Sequence, residues 1–163
     1  MAKFVVMDSS PLIGLAIVSG LAWLPSLFNR SYLTETVKRE VMPGKQARGE
    51  TAIAQAIEAG WLSIWSDPII PRLDIDLDAG ETDCINLAMN YPQGHVLLVM
   101  DERAGRAVAK QKNLSVIGTA AIIGLAKNRG LITSAREVFE VLHRSDFRIA
   151  PAVIKQILLQ VGE

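Results

Sequence analysis

Phe4-Val5-Val6-Met7-Asp8-Ser9-Ser10-Pro11 is the stretch that decides how this chain folds. A short, continuous apolar run rich in β-formers predicts a strand buried on both faces, as in a parallel sheet. Asp8 closes the run, and Ser9 or Ser10 is placed to cap a following helix with Pro11 at its first position. A carboxylate at the end of a buried strand is expensive unless something uses it. In open α/β sheets the carboxyl ends of the strands are where ligands bind.

The same pattern recurs downstream. Residues 96–100 form a second buried strand ended by Asp101, with a helix expected over 102–112. Val116-Ile117 reads as a third central strand, and Gly118-Thr119 turns into a helix through Lys127. Between these lie an apolar helix from Pro11 to near Gly20, a short helix over 21–28 and a brief strand at 31–33. Thr34 caps a helix that runs through Val41 and is stopped by Pro43-Gly44. Residues 47–59 are amphipathic, with Ile53, Ala56 and Ile57 on one helical face and Gly60 as the stop. Residues 61–65 alternate like a strand, and 67–77 is loop, broken by Pro68 and Pro71. Asp78 or Ala79-Gly80 leads into a helix over about 81–90, and two more helices are expected over 134–143 and 151–161. This alternation predicts an α/β fold, a three-layer α/β/α sandwich around a central, mainly parallel sheet. No boundary divides residues 1–163, so one domain is expected.

Bulk composition removes several function classes. The chain has 163 residues, half of them hydrophobic, and 17 basic residues balance 17 acidic ones. That balance argues against coating nucleic acid or membrane by bulk charge, while leaving room for a local basic patch. The single cysteine, Cys84, excludes an internal disulfide and a Cys-rich zinc site, and suits a reducing cytosol. Residues 11–28 are apolar, but Ser19-Gly20 and Pro25 interrupt them short of the ~18 apolar residues a membrane span needs. No secretion signal is visible, and a cytoplasmic protein is expected.

Acidic residues beside buried segments are the main chemical signal: Asp8, Glu40, Glu81 and Asp101. Phosphodiester hydrolysis needs an activated water and positive charge on the phosphate oxygens, and Mg²⁺ or Mn²⁺ supplies both. Such hard cations take carboxylate oxygens and retain several waters. Each acid also has a plain explanation. Glu81 suits a helix N-terminus, and Glu40 suits a surface pair with a neighbouring Lys or Arg. Asp8 and Asp101 are the hardest to explain away, since both end apolar strands. Asp83 competes with Glu81; two residues apart on a helix is about 200°, so both cannot point inward.

Four segments in order resemble PIN-domain nucleases: Val6-Met7-Asp8-Ser9-Ser10-Pro11-Leu12-Ile13, Gly80-Glu81-Thr82-Asp83-Cys84-Ile85-Asn86-Leu87-Ala88, Leu98-Val99-Met100-Asp101-Glu102-Arg103-Ala104-Gly105-Arg106 and Val116-Ile117-Gly118-Thr119. The chain resembles a prokaryotic branch related to VapC-type toxins, whose members also end in a segment like Asp146-Phe147-Arg148-Ile149 followed by a last helix. The resemblance implies a metal-dependent single-stranded RNA endonuclease, the toxin of a toxin–antitoxin pair. Asp8, Glu40, Glu81 and Asp101 would be its catalytic quartet, with Asp8, Glu81 and Asp101 as ligands of Mg²⁺ or Mn²⁺. It also implies a small antitoxin protein as partner, and a homodimer. Ser9 or Ser10 and Thr119 would hydrogen-bond ligands or a phosphate. A further acid that relatives often carry beyond this turn is replaced here by Ala120-Ala121.

Arg103, Arg106 and Lys110 make a basic stripe on the helix after Asp101, at spacings of three and four, and phosphate contact would explain it. Lys45 and Arg48 lie in a loop that would border the same site. His95, His143, Cys84 and the three tryptophans lack partners at catalytic spacing and read as packing or helix-end residues. The alternative function is a catalytically weak or inactive scaffold of the same fold that binds RNA or a protein. A haloacid-dehalogenase-like phosphatase would want an Asp-x-Asp motif, whereas Asp8 is followed by Ser9-Ser10.

Overall fold

A computed structural model describes residues 2–163. Its elements follow one another as β1 (Phe4–Met7), α1 (Ser9–Ile17), a 3₁₀ turn (Gly20–Trp23), α2 (Leu24–Leu27), β2 (Ser31–Leu33), α3 (Glu35–Val41), α4 (Glu50–Glu58), β3 (Ser63–Ile64), α5 (Ala79–Met89), β4 (Val96–Val99), α6 (Arg103–Gln111), β5 (Ser115–Ile117), α7 (Thr119–Asn128), α8 (Ala135–Arg144) and α9 (Pro151–Gln160).

The five strands are all parallel, in the order β3-β2-β1-β4-β5. The chain winds outward from β1 through β2 to β3, then crosses back to lay β4 on the other side of β1. The winding direction therefore reverses between β1 and β4, which opens a crevice at their carboxyl ends. Register runs Phe4↔Val96 to Met7↔Val99, and the Asp8 N–H donates to the Val99 carbonyl at 3.0 Å. Asp8 and Asp101 thus stand at neighbouring strand ends. Helices surround the sheet: α5 lies on β1 and β4, α1 touches α3, α4, α7 and α8, and α9 packs on α7 and α8. Val5, Val6, Met7, Leu98, Val99 and Met100 are buried at the centre of one continuous core.

Three expected elements differ. The helix expected over 47–59 starts at Glu50, because Gly49 takes a left-handed backbone (φ 80°) that a helix cannot run through. The strand expected over 61–65 shrinks to Ser63–Ile64. The Trp61 N–H instead donates to Ala56 O at 3.0 Å and closes the end of α4. Pro11 is the third residue of α1 rather than the first, since the helix begins at Ser9.

The Pro-broken segment after β3 is not loose. Asn86 of α5, a buried amide, accepts from Arg72 N at 2.8 Å and Leu73 N at 2.7 Å. One helical turn on, Asn90 accepts from Ile70 N at 2.8 Å and donates to Ile70 O at 2.9 Å. Two asparagines at i, i+4 thus give an extended segment the backbone partners that a sheet would otherwise supply. Among the described residues no single helix is long and apolar enough to cross a membrane. The apolar pair Ser9–Ile17 and Gly20–Leu27 is bent by 105°, and its Leu12, Leu15, Leu21 and Leu24 face the core.

Asn86→Ala is expected to strand two backbone N–H groups and lower stability by about 2 kcal/mol. Urea unfolding gives the total. Hydrogen exchange must show the Arg72 and Leu73 amides losing protection ahead of the strands, and uniform loss would refute the clasp.

Candidate active site

Asp8 occupies the N-cap position of α1, with extended backbone and no side-chain capping bond. It is only 5% exposed. Burial pushes its carboxyl from the ordinary 3.8 to about 6; the Ser9 N–H pulls it down, and Asp78, Glu40 and Asp101 push it further up. Its acidic neighbours thus come from three other parts of the chain.

Each neighbour is held by neutral donors. Asp101 Oδ1 accepts from Thr119 N at 2.8 Å, and its Oδ2 accepts from the Thr119 hydroxyl at 2.7 Å and the Ser10 hydroxyl at 3.2 Å. Glu40 Oε2 accepts from the Ser9 hydroxyl. The two serines expected to cap α1 therefore turn their hydroxyls onto the acids instead. Asp78 caps α5, accepting from Glu81 N at 2.8 Å, as one of the two openings the sequence allowed. Glu81 is 5% exposed, and its Oε2 is buried without a hydrogen-bond partner. Burial, then a hydrogen bond and charge repulsion from Asp78, then Asp8, raise its carboxyl from 4.5 to about 7. Asp83 faces elsewhere: it accepts from the Thr36 hydroxyl of α3, which also receives Arg39 Nη2 at 3.3 Å.

Among the described residues the ion pairs are Lys112–Asp74 and Lys127–Glu163, and neither touches the cluster. Asp8, Glu40, Glu81 and Asp101 thus share one edge of the sheet and make no ion pair with a Lys or Arg among the described residues. Nor do three acidic, imidazole or thiol groups among the described residues already close on one point as an ion cage. The donor set nonetheless fits a hard divalent cation that keeps most of its waters: all-oxygen, buried at Asp8 and Glu81, and carrying an unpartnered Glu81 oxygen.

The residues expected to meet RNA divide. Arg103 is exposed at the start of α6, and Ser9 stays near the surface while bonded to Glu40. Thr119, expected as an RNA contact, is fully buried and commits both donors to Asp101. Arg106 is half-buried and donates to Met100 O at 3.0 Å, so it braces the end of β4. Lys110, Lys45 and Arg48 are exposed and make no ion pair among the described residues. Cys84 is buried in α5, where burial first and Asp8 next push its thiol well above its ordinary value, as suits an inert core residue. His95 stacks on Tyr91 (5.0 Å between centroids) and Trp65 on Phe4 (5.1 Å). Asp78 is a further acid of the cluster, beside Asp8 and Glu81. Its signal was present, an Asp three residues before Glu81, but it resembles any N-cap.

Both raised carboxyls bind protons in the native state that the unfolded chain releases near pH 4. From about pH 4 to about pH 7 the native state therefore holds more protons, and its stability falls as pH rises. In metal-free buffer the melting temperature is expected to be lower near pH 8 than near pH 5, with Asp8→Asn flattening that slope. A wild-type melting temperature that climbs across this window would contradict the assignment.

The sequence matches a domain family described as a PIN domain over residues 4–163. No curated protein matches the chain. The family carries a nuclease-type fold, in agreement with acids gathered at the carboxyl edge of an all-parallel sheet. This chain belongs to the PIN-domain family.

Proposed function

We propose that this protein is a divalent-metal-dependent endonuclease of single-stranded RNA, acting as the toxin of a toxin–antitoxin pair. One observation carries the nuclease reading. The sheet reverses its winding between β1 and β4, and Asp8 and Asp101 end those two strands with Glu81 and Glu40 brought against them. A catalytic site at a switch point is the general arrangement in open α/β sheets. The toxin role and the RNA preference rest on the sequence resemblance to VapC-type proteins.

Asp8, Glu81 and Asp101 would hold Mg²⁺ or Mn²⁺. When bound, the ion supplies Lewis acidity to a water and to the phosphate oxygens. Thr119 and Ser10 fix the orientation of Asp101, and Asp78 fixes the turn that presents Glu81. Glu40, exposed and steadied by Ser9, offers a carboxylate that accepts a proton from an attacking water. Arg103, with Lys110, Lys45 and Arg48, supplies cations for the phosphate backbone. With no net charge overall, binding is expected to be weak and salt-sensitive. A small antitoxin protein would cover the acids, and a second copy of the chain would pair with it as a homodimer.

A scaffold reading is favoured by one feature: the turn into α7 continues as Ala120-Ala121, with no acid beyond Thr119. Calorimetry with Mn²⁺ and digestion of labelled single-stranded RNA, on wild type, Asp8→Asn and Asp101→Asn, separate the two. Each substitution is expected to lower metal affinity at least tenfold and cleavage on the order of a hundredfold. Metal binding and cleavage indifferent to both substitutions would sink the nuclease reading. RNA binding without cleavage would favour the scaffold.

A further inference from the structure

Glycine inside a helix is less favourable than alanine, because it orders more backbone and packs nothing. Two helices here carry one beside the acidic cluster, Gly80 in α5 and Gly105 in α6. Neither is among the residues with positive φ, so the backbone does not call for glycine. Gly118, at the N-cap of α7, has φ −113° and ψ −178°, extended backbone that any residue adopts.

What each of the three does is make room for a carboxylate. A Cβ on Gly105 would stand 3.0 Å from Cδ and 3.4 Å from Cγ of Glu81, and closer still to Oε2. On Gly118 it would stand 2.9 Å from Asp101 Oδ1 and 3.3 Å from Arg106 Nη1. On Gly80 it would stand 2.8 Å and 2.9 Å from the two oxygens of Glu40. Real Cβ atoms do not come within 3.0 Å of such atoms, so something would have to shift. Two other helical glycines, Gly14 and Gly124, make room for apolar side chains, Phe147 and Ile157. The three at the site differ in kind: they come from three separate elements and seat three acids of one cluster.

We propose that Gly105, Gly118 and Gly80 are positioning residues of the acidic site, each seating one carboxylate (Glu81, Asp101 and Glu40 respectively) against bare backbone. Its functional consequence rests on the reading of the cluster as a cation site; the seating itself does not. The three seats differ in how hard they are to evade. Glu81 is buried, and its Cδ as well as its Oε2 comes within 3.0 Å of the added methyl. Asp101 is pinned by Thr119 and Ser10. Glu40 is exposed, and its tip turns aside at little cost. Gly105 is therefore the strictest seat and Gly80 the most forgiving.

The test is Gly105→Ala, with and without Glu81→Asp, which shortens the side chain by one methylene and withdraws its carboxylate from the new methyl. Thermal unfolding in metal-free buffer and Mn²⁺ titration calorimetry are run on wild type, both single variants and the double variant. Gly105→Ala is expected to melt below wild type in spite of alanine's better helix propensity, and to bind Mn²⁺ at least about tenfold more weakly. In the double variant the melting temperature is expected to recover and Mn²⁺ affinity to match Glu81→Asp alone, a coupling that independent sites would not show. Gly105→Ala with wild-type affinity and an unchanged or raised melting temperature would overturn the proposal, as would a double variant no better than Gly105→Ala. Wild type that fails to bind Mn²⁺ would sink the cation reading, and the metal-free melting cycle would still decide the seat.

Discussion

Burial of the Asp8 carboxylate at the end of β1, with other acids close by, is the constraint around which this molecule is arranged. Asp8 lies nearly inaccessible at a strand terminus, with Asp78, Glu40 and Asp101 each raising its affinity for a proton. A carboxylate so placed has two remedies, to take up a proton or to gather a cation. The fold supplies neither through its own side chains, since the ion pairs found among the described residues lie elsewhere. The remainder of the structure has to hold the acids together against their charge.

It does so with neutral donors and with shape. Thr119, Ser10, Ser9 and the Glu81 N–H supply hydrogen bonds that orient without cancelling charge. An Arg or Lys in those places would bind more strongly and would also quench the negative potential that a cation needs. Arg106 shows the distinction. It stands beside the Asp101 seat, yet its guanidinium donates to the Met100 carbonyl rather than to the carboxylate. Its hydrogen bond goes to the end of β4, and it makes no ion pair with the acid among the described residues.

The sheet and most helices were legible because their signals are local. Phe4–Met7 and Val96–Val99 announce themselves as unbroken apolar runs closed by Asp, and Thr34, Asp78 and Ser134 each precede a helix and cap it. The features that escaped depend on partners far along the chain. Whether Glu81 or Asp83 faces Asp8 is settled by Thr36 of α3, which takes Asp83. The firmness of residues 70–73 comes from Asn86 and Asn90, which look like ordinary polar positions of α5. Thr119 is open by residue type to a ligand or a phosphate, and its burial gives it to the proposed ligand Asp101; Arg106 suggests a phosphate contact by residue type, and its position gives it to the Met100 carbonyl instead.

The opposite end of the same strands shows how the repulsion is tolerated. β1 is four residues long, roughly 13 Å, and begins at Phe4, which meets Tyr32, Trp65, Tyr91 and His95 at centroid distances of 5.1–5.6 Å. Stacked and edge-on rings of this kind add packing energy without charge. One end of the sheet is thus closely packed with rings, the other crowded with carboxylates. A site built in this way is specified by what is left out as much as by what is present. The open spaces at Gly80, Gly105 and Gly118, and the lack of an ion pair to Asp8 or Asp101 among the described residues, leave no charged residue to read in the sequence. Retaining all four acids is therefore no guarantee of retaining the site, because Thr119, Ser10, Ser9 and three glycines, none of them charged, help to hold their placement.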